Sequence, residues 1–342
     1  MLIVGDLACP TTEHAHNLTK SMRQSGLFDG QLVFCNLEGL LAADANLKDE
    51  KLFNVAEVLD AFCPERTVFS LANNHTYDYP QSILKTKDVL EGKGFGTVGL
   101  VRGHGFEPCV VQGGSTTYAL FAHCWDVYTR TNPNKLSQDR IVDCDYEAFV
   151  GEVCKYAAQN PNQRVVCYFH WNYDLETLPF PMHRKLAKDL IDGGVFAVVG
   201  GHSHLPQGGE MHKGRPIVYG FGNFFIPSNE YFGGSLVYPN CSKTTMALEI
   251  DDETGALTCH WFATDCRAGI KLISSEGIEE GTMITGYSPY RGLGEREYES
   301  FFRKNRRKRL LVPVFSEYRG AVALLKRNLA VLRIRAIKKI KG

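Results

Sequence analysis

Phe196-Ala197-Val198-Val199-Gly200-Gly201-His202-Ser203-His204 is a short apolar run that ends on two glycines and then presents two imidazoles two residues apart. Four apolar residues bounded by glycine read as a buried strand. Histidines at i and i+2 on a glycine-framed turn can address one volume, as metal ligands do. Taken alone, the element is balanced between a metal site and a polar turn.

The same arrangement recurs along the chain. Apolar residues 2–4 lead to Asp6, residues 32–35 to Asn36 and Glu38, and residues 68–71 to Asn73, Asn74 and His75. Residues 165–169 lead to His170, and residues 217–221 to Asn223. Each has an ordinary reading: Gly5-Asp6 as a turn, Asn73-Asn74-His75 as a helix cap, His170 as a hydrogen-bonded core residue. Six together point to strands whose carboxyl ends gather one site, as in α/β sheets.

Between these runs, residues 81–90 and 182–191 show helical spacing, with Gly92, Gly94, Gly193 and Gly194 as stops. Strands are also expected at residues 117–124, 244–250 and 256–262. The last two flank Asp251-Asp252-Glu253-Thr254-Gly255, a hairpin signal. This alternation predicts an α/β fold of mixed sheets covered by helices rather than a bundle. The polar stretch at residues 11–17, with His14 and His16, reads as a solvated loop. With residues 125–142 it is expected to carry substrate specificity.

At 342 residues with 44% hydrophobic content the chain can bury a large core. Its 38 basic and 38 acidic residues cancel. Their distribution does not: residues 301–342 hold 14 Lys or Arg against Glu317 alone, leaving +13 there and −13 on residues 1–300. The expected organisation is therefore a domain at 1–300 and a basic helical extension at 301–342, dispensable for chemistry on small substrates. Leu325, Leu329, Leu332, Ala336 and Ile340 share one helical face, beside Lys326, Arg327, Arg333, Lys338 and Lys341. Such a helix suits an anionic membrane surface or docking on the acidic body. Nucleic acid is a weaker fit, since no recognition module accompanies the charge. Eleven cysteines without a C-x-x-C pair predict a reducing cytoplasm. The opening residues do not read as a signal peptide, and no apolar run approaches ~20 residues. The expected location is the cytoplasm, including the inner face of its membrane.

Val4-Gly5-Asp6, Asn36-Leu37-Glu38-Gly39, Leu71-Ala72-Asn73-Asn74-His75 with Asp78, His170-Trp171, Gly201-His202-Ser203-His204 and Gly222-Asn223-Phe224 occur in the order of the calcineurin-like metallophosphoesterases. The pattern more closely resembles their bacterial capsule-synthesis branch, the CapA or poly-γ-glutamate synthesis family. That resemblance implies a four-layer α-β-β-α sandwich of two mixed sheets and a site for two divalent transition-metal ions. Asp6 would bind one metal, Glu38 both, Asn74, His170 and His202 the second, with His204 returning to the first. His75, with Asp78, would act beside the phosphate. Asn36, Asn73, Trp171 and Asn223 are expected beside the substrate. Oxygen and imidazole ligands suit Mn, Zn, Fe or Co. The chain departs from the wider superfamily at Asp6-Leu7-Ala8, where Asp-x-His is usual, and at Glu38, where Asp is common; the capsule branch tolerates both. The implied activity is phosphoester hydrolysis in capsule or surface-polymer biosynthesis, on a phosphorylated saccharide or polymer intermediate. Amide or Cα-proton chemistry on polyglutamate and a non-catalytic role beside a polymer synthase stay open.

Overall fold

The computed structural model of the chain describes residues 1–41, 51–101, 105–132, 140–308 and 312–341. The first sheet runs β16 (Gly269–Gly277), β15 (Leu257–Asp265), β14 (Thr244–Ile250), β1 (Leu2–Leu7), β2 (Val33–Leu37), β5 (Thr67–Ser70), β6 (Gly96–Val98). A short strand β13 (Asn223–Phe225) pairs with the end of β1. The β1–β2–β5–β6 half is parallel and the β14–β16 half antiparallel. In the second sheet the order is β11 (Pro206–His212), β12 (Arg215–Phe221), β10 (Ala197–Gly201), β9 (Gln163–His170), β8 (Thr116–Cys124), β7 (Cys109–Gly113). Its four central strands are parallel and its two edges antiparallel. A two-residue pair, β3 (Leu40–Leu41) and β4 (Phe53–Asn54), lies outside both sheets.

Strand alternation divides the apolar residues between two faces. Ile3, Phe34 and Val68 of the first sheet meet Leu120, Val166 and Val199 of the second in one core. Leu2 and Val4 point the other way, toward Leu18 and Met22 of α1 (Thr12–Ser25) and Leu90 of α2 (Ile83–Gly92). Beyond the second sheet lie α4 (Tyr146–Gln159), α5 (Pro181–Asp192), α7 (Glu295–Asn305) and α8 (Gly320–Lys341), which contribute Val153, Leu186, Phe302 and Val331 to a third cluster. The short helices α3 (Asp126–Thr129) and α6 (Thr282–Gly286) complete the set. Helix, sheet, sheet, helix is the four-layer α/β order expected.

Two expectations are corrected. Residues 11–17 are not a loop: Thr11 caps α1, its hydroxyl accepting the His14 N–H at 3.2 Å, and the helix buries Ala15, Leu18 and Met22. That buried stripe is thin within a polar run, so the run reads as loop. His14 is tied to Thr11 at 2.7 Å and His16 is solvent-exposed, so neither belongs to the site.

The boundary at residue 300 has no counterpart in the packing. Phe302, Val312, Val314, Phe315 and Tyr318 lie in the same core as α4 and α5. The Met182 N–H donates to the Phe315 carbonyl at 2.8 Å, and the Tyr318 hydroxyl to Asp189 at 2.6 Å. Helix α8 docks through Ala323, Arg327, Ala330 and Val331. Arg327 is 2.6 Å from Asp145 and 3.8 Å from Asp126, and Arg130 donates to Asn328 at 2.9 Å. The tail's charge thus meets the acidic body, while its apolar residues continue the helical layer. Arg309, residues 133–139 of the expected specificity loop, and the side chains of Lys338, Ile340 and Lys341 lie outside the described residues.

Candidate metal centre and cleft

The site is built at the carboxyl ends of strands from both sheets. Asp6, Asn36, His170 and Asn223 are themselves strand residues. Asp6 of β1 stands in register with Asn36 of β2 and with Asn223 of β13. From the second sheet, His170 ends β9 and His202 and His204 follow β10.

Gly201 makes the close approach of the two sheets feasible: a Cβ there would lie 2.4 Å from Asp6 Oδ1. The Asp6 carboxylate is pinned by two donors, Asn36 Nδ2 at 2.8 Å and the His202 backbone N–H at 2.8 Å. His202 (φ 77°) and His204 (φ 55°) both occupy the left-handed region. For residues with a Cβ this costs on the order of 1 kcal/mol each, and it turns both imidazoles back toward Glu38. One ligand atom from each of Glu38, His202 and His204 lies within 4.8 Å of the others.

Glu38 sits between two groups of partners. Its Oε1 is 3.7 Å from His170 Nε2 and 3.8 Å from His75 Nε2. Its Oε2 is 3.9 Å from His204 Nδ1, which is also 3.9 Å from Asp6 Oδ2. Asn74 Oδ1 is 2.6 Å from His170 Nε2, on the His170 side. Asp6, Glu38, Asn74, His170, His202 and His204 therefore converge on one volume.

These residues fit divalent cations. Both Glu38 carboxylate oxygens and His202 Nδ1 are buried without a hydrogen-bond partner, an arrangement that costs several kcal/mol unless a positive charge answers it. Burial, followed by the charges of Asp6, Asp174 and Asp78, pushes the Glu38 carboxyl well above its usual range. His170 is held well below by burial and by His202, His204 and His75. Burial likewise lowers His204, against the pull of Asp6 and Asp174. Neutral imidazoles and unpaired carboxylate oxygens are what a divalent ion takes as ligands. Ala8, at the position where an Asp-x-His motif would put a histidine, is instead packed in an apolar cluster with Leu52, Ile226 and Tyr231.

A cleft of about 640 Å³ opens over the cluster. His75, with 19% of its side chain exposed, reaches it, and its Nδ1 is 2.7 Å from Asp78. Asp174, 2.9 Å from His202 Nε2, lies on the rim. Of the residues expected beside substrate, none lines this cleft. Trp171 is buried, donates to the Tyr219 carbonyl at 2.8 Å and stacks on His183 at 4.7 Å. Asn36 and Asn73 hold Asp6 and the Leu37 carbonyl, and Asn223 orients His204 at 2.7 Å. Asn36 and Asn223 thus hold Asp6 and His204 in place, and Asn73 braces the backbone at the end of β2.

Tyr128, from the stretch 125–142 expected to carry specificity, lines the cleft, and Tyr238, Lys308 and Arg333 join it without a sequence signal for the site. Tyr128 packs 4.2 Å from the His202 ring, and the Tyr238 hydroxyl is 3.4 Å from His204 Nδ1. Glu176 accepts the backbone N–H groups of Arg307 and Lys308 at 3.0 and 2.9 Å, which fixes the segment carrying Lys308.

A family model described as bacterial capsule synthesis protein PGA_cap matches residues 10–228. A capsule biosynthesis protein CapA of Bacillus anthracis is 27% identical over 220 residues, covering 58% of this chain and 49% of that protein. The PGA biosynthesis protein CapA of Bacillus subtilis is 26% identical over 166 residues, 46% of this chain and 42% of that one. A probable polyglutamine synthesis accessory protein of Mycobacterium tuberculosis is 27% identical over 225 residues, 58% of this chain and 56% of the relative. The chain spans about half the length of these relatives. Among solved structures, a putative 5′-nucleotidase of Staphylococcus aureus aligns with TM-score 0.43 at 12% identity, over 87% of this chain and 56% of that one.

Proposed function

This chain belongs to the PGA_cap family of bacterial capsule synthesis proteins, and from that membership we propose a metal-dependent phosphoester hydrolase acting on a phosphorylated saccharide or polymer intermediate of surface-polymer assembly. The observation that carries the reading is Glu38: a buried carboxylate with two unpaired oxygens, ringed by His75, His170 and His204 within 3.7 to 3.9 Å. Asp6, Glu38, Asn74, His170, His202 and His204 would hold two divalent ions, with Mn, Zn, Fe or Co all compatible. Bound there, such ions supply Lewis-acid polarisation of phosphoryl oxygens and a water acidified toward neutral pH.

The chain's own residues do the rest. Asp78 holds His75 at Nδ1, leaving Nε2 to give a proton to a leaving oxygen at the cleft. Lys308 and Arg333, on the same cleft, attract the substrate's anionic groups beyond the scissile bond. Tyr238 and Phe232 close the side nearest His204 and His75.

The test is a panel of phosphomono- and diesters with Mn or Zn added, with bound metal measured in the same preparations. Wild type should turn over at least one class. His75→Ala is expected to lose ~10²–10⁴-fold in kcat while retaining metal. Glu38→Ala should lose both. A second reading, amide chemistry on a γ-linked polyglutamate, is favoured by one observation: Lys308 and Arg333 would suit a polycarboxylate as well as a phosphate. Cleavage of oligo-γ-glutamate with no phosphoester turnover would replace the first reading by the second.

A further inference from the structure

We propose that the outer face of α8 is a docking surface for an anionic lipid bilayer. The helix has two apolar faces. One is spent on the body, through Ala323, Ala330 and Val331. The other carries Val322, Leu325, Leu329 and Leu332, which are 65%, 60%, 49% and 59% exposed. Their spacing of three, four and three residues puts them in one stripe along the helix. Large aliphatic side chains in a continuous exposed stripe mark an interaction surface.

Charge selects the occupant. Helix α8 contains seven Lys or Arg and no acid, and residues 1–300 carry −13. An anionic surface therefore repels the body and attracts this one region, which orients the molecule as well as binding it. A second copy of the chain could cover the leucines, but it would set seven cations against seven with no acid in either helix to offset them. Lipid headgroups supply the missing negative charge, and the acyl region takes the leucines.

The helix is not a span: among the described residues no helix is long and apolar enough to cross a membrane. It would lie in the interface, as basic amphipathic helices do. Arg327 against Asp145 and Asn328 against Arg130 hold it in place beforehand, so docking does not require the helix to fold on contact. On the same helix, Arg333, Ile334 and Ile337 line the metal cleft. Bilayer contact would place the cleft mouth beside the lipid surface. The inference does not depend on the hydrolytic reading.

The experiment is flotation of the full chain with mixed phosphatidylcholine–phosphatidylglycerol vesicles and with phosphatidylcholine alone, across a salt series. The chain should float only with the anionic vesicles and release as salt rises. Leu325→Ser/Leu329→Ser/Leu332→Ser should keep its thermal midpoint, because these side chains are exposed, and lose on the order of tenfold in vesicle affinity. Lys326→Gln/Lys338→Gln/Lys339→Gln should lose binding at moderate salt. The proposal is overturned if wild type ignores anionic vesicles, binds both kinds equally, or binds as well after the leucines are replaced. A dimer that the leucine variant dissolves, with no flotation, would give the stripe to a second copy instead.

Discussion

Replacing Gly201 by alanine tests whether the two sheets meet as closely as the geometry around Asp6 requires. The new methyl would start 2.4 Å from Asp6 Oδ1 and 2.9 Å from the Tyr168 hydroxyl. Ordinary contact needs about 1 Å more. The Asp6 carboxylate cannot yield that distance and keep both its donors, Asn36 Nδ2 and the His202 N–H. Each of these hydrogen bonds to a charged group contributes roughly 1.5–3 kcal/mol, and overpacking adds about 1–3 kcal/mol. The expected loss is about 3–5 kcal/mol, a large share of a total of ~5–15 kcal/mol. Gly151→Ala is the control: its Cβ meets nothing within 4 Å in the interior of α4, and it should gain up to ~1 kcal/mol. Urea midpoints measure both, and elemental analysis of each protein measures metal. A Gly201→Ala protein with wild-type stability and metal content would refute the derived geometry.

Acid titration should expose His123, which burial pushes down to about 4 against the pull of its Cys144 carbonyl partner at 2.8 Å. The unfolded chain, with its imidazole near 6.5, takes up the proton first, so stability should fall by ~3 kcal/mol between about pH 6.5 and pH 4 from this residue. His123→Gln, followed by urea unfolding across that range, should flatten the slope, and an unchanged slope would contradict it. Deleting residues 301–342 removes Phe302, Phe315, Tyr318 and Val331 from the core. At about 1.5–3 kcal/mol per buried side chain the truncated chain should lose its near-ultraviolet circular dichroism; a folded, active truncation would contradict the packing described. Lys308→Gln/Arg333→Gln should raise KM about tenfold with kcat nearly constant, and a drop in kcat alone would remove these residues from substrate binding.

The alternation of apolar strand and polar strand end made the sheets and the convergence of the polar residues legible, because both are local patterns. The strand ends before Glu38, His202 and His204 needed no long-range knowledge, while their joint role came from the family resemblance. Other parts did not announce themselves. Helix α1 hides because only Ala15, Leu18 and Met22 interrupt its polar sequence. Gly200 and Gly201 look like turn residues, yet they end β10 and are glycine because Trp171 and Asp6 press against them. Helix α8 misleads in orientation: its buried side holds two alanines, a valine and an arginine, while its leucines face outward. Lys308 and Arg333 could not be assigned, since the cleft wall they form comes from chain far beyond the last ligand, His204.

The order of strands in the first sheet also bears on the order in which the cleft is assembled. Strand β1, which carries Asp6, leaves the ribosome well before its antiparallel neighbour β14, which is made only when residues 244–250 are reached. Until then the edge of β1 is an open, apolar template, the sort of edge that chaperones shield and that aggregates when they do not. The cleft waits longer still, for Arg333. A nascent chain can hold Asp6, Glu38, His170, His202 and His204 together while the cleft above them is unfinished. Products that stop short of Arg333 should therefore lack both the finished cleft and the core contacts of α8.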